Sequence, residues 1–221
     1  VAALFAMIVM WLVHATRLAD GVSLIAWALA AFVWMLLALG LFTRGSFPSV
    51  ERWRSMHVAL AIFLPAACWL GLVDAYLEGG LAYLVSILAI VWAADIAAYF
   101  AGRAFGERKL APAISPGKTW AGAIGGALAA LTFAAVTIAV PAFSGTYFAV
   151  LARHWPIVAV LAVALLLMTL SVVGDLFESQ LKRQRGVKDS GRLLPGHGGV
   201  FDRVDALLPI VPVALLLQRL A

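Results

Sequence analysis

The strongest constraint in this sequence is the repetition of apolar runs long enough to cross a lipid bilayer. A helix needs about 20 apolar residues for that. Residues 22–42, 120–143 and 155–174 each supply such a run without one charged side chain. Residues 79–102 form another, with Asp95 as its single charge, and 58–73 a shorter one. Residues 1–13 read as part of a further span, and because Val1 opens inside an apolar run, residues preceding it are expected. Residues 206–217 read as a short last span containing Pro209 and Pro212. The chain is 64% hydrophobic and 12% charged, against about half and a quarter in a soluble domain. No single core could hide that apolar surface. The expected fold is all-α, a polytopic integral membrane protein of about seven transmembrane helices, with residues 1–221 as one membrane domain. The one cysteine, Cys68, lies in an apolar run and reads as a small buried hydrophobe.

Charge between the spans sets the orientation. With the connections numbered alternately, thirteen Lys and Arg fall on one side and three (Arg17, Arg153 and Arg219) on the other. The positive-inside rule assigns the basic side to the cytoplasm. The net charge of +5 is therefore topology, and nucleic acid is not an expected partner. Arg44, Arg52 and Arg54 read the same way, as topology and contacts with anionic headgroups. A compact chain with short tails fits a bacterial inner membrane. Polar residues concentrate in two cytoplasmic stretches, 95–119 and 171–205, so 95–205 is the expected catalytic portion, around a cavity facing the cytoplasm.

In the first stretch, Asp95 sits inside an apolar helix, where a charge is costly and functional by default. Asp95, Tyr99 and Arg103 are spaced to share one helix face, which would also suit a structural pairing of Asp95 with Arg103. Ser115, Pro116, Gly117, Lys118 and Thr119 read as a turn before the next helix. A helix start with a lysine and two hydroxyls suits an anion. The Gly-Lys-Thr is not a P-loop, because the glycine that motif needs is Pro112 and no strand precedes it.

In the second stretch, a continued helix would put Asp175, Glu178, Ser179 and Lys182 on one face. Arg183, Arg185 and Lys188 add positive charge. Residues 195–199, Pro-Gly-His-Gly-Gly, form a flexible turn that lets backbone N–H groups approach a ligand. Asp202 and Asp205 follow three apart as the last helix begins, so both carboxylates are expected to point the same way, and there they would also suit its dipole. A triad of Ser190, His197 and Asp202 can be composed, but composition alone is weak support. Asp95, Asp175, Asp202 and Asp205 thus meet a cluster of cations at one membrane face. That mixture suits a Mg²⁺–polyphosphate complex, with carboxylates on the metal and Lys and Arg on phosphate oxygens. Zinc is disfavoured, with no second histidine near His197 and no cysteine cluster.

At these residues the sequence resembles the phosphatidate cytidylyltransferase (CDP-diacylglycerol synthase) family. The signature stands here as Ser179, Lys182-Arg183, Lys188-Asp189, Pro195 to Gly199, Asp202-Arg203 and Asp205. Gly174-Asp175-Leu176 and the 115–119 segment are also similar, while Ala121 departs from the Glu or Gln of many members. The resemblance implies cytidylyl transfer from CTP to phosphatidic acid, giving CDP-diacylglycerol and pyrophosphate in phospholipid biosynthesis. It implies Asp175 and Asp202, with Asp205, as Mg²⁺ ligands, and it allows a second cation such as K⁺. Lys118, Lys182, Arg183, Lys188 and Arg203 would neutralise phosphates, and His197 with its glycines would shape the pocket. Asp95, Ser115, Thr119, Ser179 and Asp189 would line the substrate site. Membrane lipid is a partner, and a homodimer is compatible with the chain. The competing class is a transporter using Asp95 as an ion or proton relay, which explains a buried carboxylate but not the long glycine-rich loop.

Overall fold

A computed structural model describes residues 19–187, 189–191, 199 and 201–221 of the chain. Its elements are helix α1 (Ala19–Arg44), helix α2 (Arg54–Phe105), strands β1 (Lys109–Ala111) and β2 (Ser115–Thr119), and helix α3 (Trp120–Ala139). A 3₁₀ turn (Pro141–Phe143), the short α4 (Tyr147–Leu151), the long α5 (Ile157–Gln184), the four-residue α6 (Phe201–Val204) and α7 (Leu207–Arg219) complete them. Apolar side chains such as Ile25, Phe32, Trp92, Ile96, Ile124 and Val158 stay exposed. A soluble monomer does not carry apolar patches of that extent, and helices apolar all round belong in lipid.

Among the described residues four helices, α1, α2, α3 and α5, are long and apolar enough to cross a membrane, where about seven spans were expected of the whole chain. The runs at 58–73 and 79–102 fuse into the 52-residue α2. Gly80 breaks it, with φ 75° and ψ −173°, a backbone region open essentially to glycine alone. The chain reverses there. His57 of the first arm stacks on Phe177 of α5, centroids 6.3 Å apart, while Asp95 of the second arm lines a cavity with Asp175, two residues before that phenylalanine. Both ends of α2 therefore lie at one end of the bundle, and Glu78, beside the reversal, pairs with Arg219 at the other. Each arm is of spanning length by itself. Helix α7 has 13 residues, about 20 Å, short of the roughly 30 Å hydrocarbon layer. The expected span at 1–13 lies outside the described residues.

The described chain is mostly helical, as expected, with one small antiparallel hairpin, β1 with β2, pairing Lys109 with Thr119 and Ala111 with Ser115. The 115–119 segment is a strand rather than a turn. Pro112 and Pro116 bar helix and push Ala111 and Ser115 into extended backbone, and a two-stranded ribbon has only edges, where proline is tolerated.

Small residues bring the second arm of α2 against α3. A Cβ on Gly122 would come within 2.9 Å of the Ala98 carbonyl oxygen, and one on Gly126 within 3.2 Å of that of Ala94, the close backbone approach typical of membrane helices. Trp27, Trp34 and Leu64 are buried in the core with Ile210 and Leu215 of α7. The α1–α2 connection is tied to α5 by Gln180, which accepts from Phe47 N–H (3.0 Å) and donates to Phe47 C=O (2.9 Å). Cys68 is buried and free, as expected.

Candidate active site at the charged end of the bundle

A cavity of about 480 Å³ opens between the second arm of α2, β2, α3 and α5. Asp95, Tyr99 and Arg103 all lie on its wall, as their spacing predicts, opposite Gly117, Lys118, Ser171 and Asp175. Arg103 donates to the Tyr99 hydroxyl (3.4 Å). Strand β2 delivers Lys118, whose ammonium lies 2.7 Å from Asp175 Oδ2. The other Asp175 oxygen accepts the Ser179 hydroxyl at 3.2 Å. Thr119 also lines the cavity, but its side chain caps α3, accepting from Gly122 N–H at 3.1 Å. Ser115, at the far end of β2, is not among the cavity walls.

A second cluster sits one turn further along α5. Lys182 Nζ lies 2.5 Å from Glu178 Oε2 and 2.7 Å from Asp202 Oδ1. Asp202 Oδ2 accepts from Ser190 N–H (3.0 Å), the Ser190 hydroxyl (2.8 Å) and Gly199 N–H (2.7 Å). A smaller recess of about 280 Å³ beside this cluster collects Ser179, Lys182, Arg183, Asp189, Asp202 and Arg203. Lys188 and His197, with the rest of the Pro-Gly-His-Gly segment, lie outside the described residues.

Asp202 and Asp205, three apart in sequence, enter opposite environments. Burial opposes ionisation of Asp202, but hydrogen bonds from Lys182 and from the N–H groups of Ser190 and Gly199 override it and hold the carboxyl well below its ordinary range. Burial and the charge of Asp175 push Asp205 up to about 6, against the opposing pull of Ala206 N–H, Lys118 and Lys182. Gly174 makes this approach possible. A Cβ there would fall 2.5 Å from the Asp205 carbonyl oxygen and 3.0 Å from Pro209 Cδ, so only glycine lets α5 abut the α6–α7 corner.

Burial, and after it the charge of Asp175, raises Asp205; Asp175 already takes Lys118 and Ser179, so a divalent cation held by this pair would have to displace Lys118. Both oxygens of Asp202 already accept donors, so a cation there would have to displace Lys182 or Ser190. Among the described residues no three His, Cys, Asp or Glu converge into a ready-made cage. Mg²⁺ is usually bound by one or two carboxylates plus substrate phosphates, and Asp175 and Asp205 are the residues that could hold it.

Two features carried no role in the sequence reading. Glu178 is 3% exposed and anchors Lys182 from below; its spacing four before Lys182 was the available signal. The other is an apolar groove of about 580 Å³, which shares Leu110, Ala123, Met168 and Val172 with the charged cavity. Its walls come from four separate elements, so no local pattern announces it.

The sequence matches the model of the cytidylyltransferase family over residues 1–221. A Pseudomonas aeruginosa protein named phosphatidate cytidylyltransferase is 43% identical over 220 residues, covering 96% of this chain and 74% of that protein. Proteins of the same name from Brucella melitensis and Haemophilus influenzae are 46% identical over 178 residues and 49% identical over 133. Those matches cover 78% and 60% of this chain, and 62% and 44% of the relatives' own length.

Proposed function

The chain belongs to the cytidylyltransferase family, and from that membership we infer that it transfers the cytidylyl group of CTP to phosphatidic acid, giving CDP-diacylglycerol and pyrophosphate. The observation that carries this reading is the Lys118–Asp175 pair on the wall of a cavity that adjoins an apolar groove. A charged head and an apolar tail find matching surfaces side by side.

A phosphatidate oxygen attacks the α-phosphorus of CTP. A new P–O bond forms as the α–β bridging P–O bond breaks, and its electron pair leaves on pyrophosphate. Phosphatidate is an anion at neutral pH, so no strong base is needed. The protein's work is positioning and neutralisation of charge on the leaving group. Lys118, Arg183 and Arg203 serve as phosphate partners, with Lys188 near them in sequence, while Lys182 holds Asp202 in place. Among the described residues Lys118 pairs with one carboxylate, that of Asp175, and stands at the cavity wall, so an arriving phosphate can take it over. Asp175 and Asp205, with Asp202, would hold Mg²⁺, which supplies Lewis-acid neutralisation of the phosphates; a second cation such as K⁺ belongs to the same reading. Asp95 and Ser179 orient substrate. The basic end of the bundle faces the cytoplasm, where CTP is found, and the membrane is the bacterial inner membrane. The transporter reading gains no support, because Asp95 opens onto this cavity beside Lys118 and Asp175.

The test is pyrophosphate release by the purified protein in mixed micelles with CTP, Mg²⁺ and phosphatidic acid. Release should require both substrates and fall by about 10²–10³ in Asp175→Asn. A folded protein that releases none would overturn the reading.

A further inference from the structure

We propose that the apolar groove beside the charged cavity holds the first part of one acyl chain of the lipid substrate, with Ala127 setting how much chain it accepts. The proposal rests on the reaction inferred above and adds to it a tail subsite and a residue that determines selectivity. The groove's volume of about 580 Å³ lies within the roughly 300–1,000 Å³ of ligand sites. Its chemistry excludes a nucleotide. The side chains that line it are aliphatic or aromatic except for Thr169, whose hydroxyl already donates to Leu165 C=O at 2.8 Å, and the indole of Trp120.

Position identifies the occupant. Four residues belong to the walls of both the groove and the charged cavity, so a molecule with its phosphate near Lys118 meets apolar space immediately alongside. An amphiphile with its head in one compartment and its tail in the other satisfies both. Residues 110–114 of the hairpin also line the groove. The α3 contribution (Trp120, Ala123, Ile124 and Ala127) follows the spacing of a single helix face. Alanine at 123 and 127 leaves the room. Ala127 lies one turn deeper than Ala123, and its neighbour Gly126 packs on Met168, another wall residue. Beyond that point exposed Leu128 borders lipid, where the rest of the tail continues.

The experiment compares dioleoyl and dihexanoyl phosphatidic acid in wild type and Ala127→Phe. The ratio of kcat/KM, long chain over short, should fall about tenfold, since several methylenes lose their place. An unchanged ratio overturns the proposal whatever happens to the absolute rates. If the wild type turns over neither lipid, it is the reaction that has failed, and labelling decides the groove independently. Phosphatidic acid with a diazirine on one acyl chain should label residues 120–127 and 168–176 of the wild-type protein. Unlabelled phosphatidic acid should compete and phosphatidylcholine should not. Equal competition by both would mean general bilayer lipid, and absence of label there would mean another occupant, such as a second copy of the chain. Either result overturns the proposal.

Discussion

Lys118 meets one carboxylate, that of Asp175, across the wall of an open cavity, with the two side chains 24% and 38% exposed. Lys182 is held between Glu178 and Asp202, whose side chains are 4% and 14% exposed, and is itself 19% exposed. Both contacts are short, yet they serve different ends. A solvated single pair is weak and exchanges partners readily. A half-buried ammonium between two carboxylates, one of them buried, is harder to remove, because its loss leaves like charges facing each other. The first arrangement suits a group that must release a carboxylate to take up phosphate. The second suits a group that joins α5 to α6 and, through Asp202, to Ser190 and Gly199.

The sharpest way to break this contrast is to remove each lysine in turn. Lys182→Met should lower stability by about 3–5 kcal/mol and abolish activity with it, read by thermal unfolding in detergent. Lys118→Met should leave the unfolding temperature nearly unchanged while lowering kcat by about 10²–10³. Equal effects on stability would erase the distinction. Glu178 refines it. Glu178→Ala should cost about 1–3 kcal/mol by leaving part of the buried network unpaired, and Glu178→Gln should recover much of that by keeping a carbonyl acceptor for Lys182.

The two nearby aspartates extend the comparison to pH. Asp205, with its carboxyl raised to about 6 from an ordinary 3.8, keeps a proton in the folded state that the unfolded chain has released. Its contribution to stability without metal is therefore present below pH 4 and lost as pH rises through about 6. Asp202 has the opposite sign: its carboxyl is lowered, so its contribution is present above the ordinary range and lost on acidification. Unfolding of wild type and Asp205→Asn between pH 4 and 7, without divalent metal, should show the variant gaining relative stability as pH rises. A constant difference would mean that neither burial nor Asp175 raises the Asp205 carboxyl. The smallest effect expected is for Thr119→Ala, which loses the α3 cap and about 1 kcal/mol.

Much of the site was legible in the sequence because helix spacing is a local rule. Asp95, Tyr99 and Arg103 line one wall because residues four apart share a face, and Asp175, Ser179 and Lys182 follow α5 out of its apolar run for the same reason. Thr119 was read as a group at a helix start, and it is the cap of α3. The strand at 115–119 was missed because a three-residue partner, Lys109–Ala111, has no periodicity to detect. The fusion of two expected spans was missed because nothing local distinguishes Gly80, which reverses the chain, from Gly79 beside it.

Taken alone, the sequence determined that the chain lives in a membrane, that its cations gather at one end, and which acidic and basic residues stand at signature spacing. Those properties depend on composition and on neighbours within a few turns. Only the tertiary structure decided that Lys118 takes Asp175 while Lys182 takes Asp202, that Gly174 admits the Asp205 corner, and that an apolar groove adjoins the charged cavity. The reason is physical: partners 20 to 57 residues apart are chosen by how helices pack and by which close approaches glycine permits, and no local period encodes that choice.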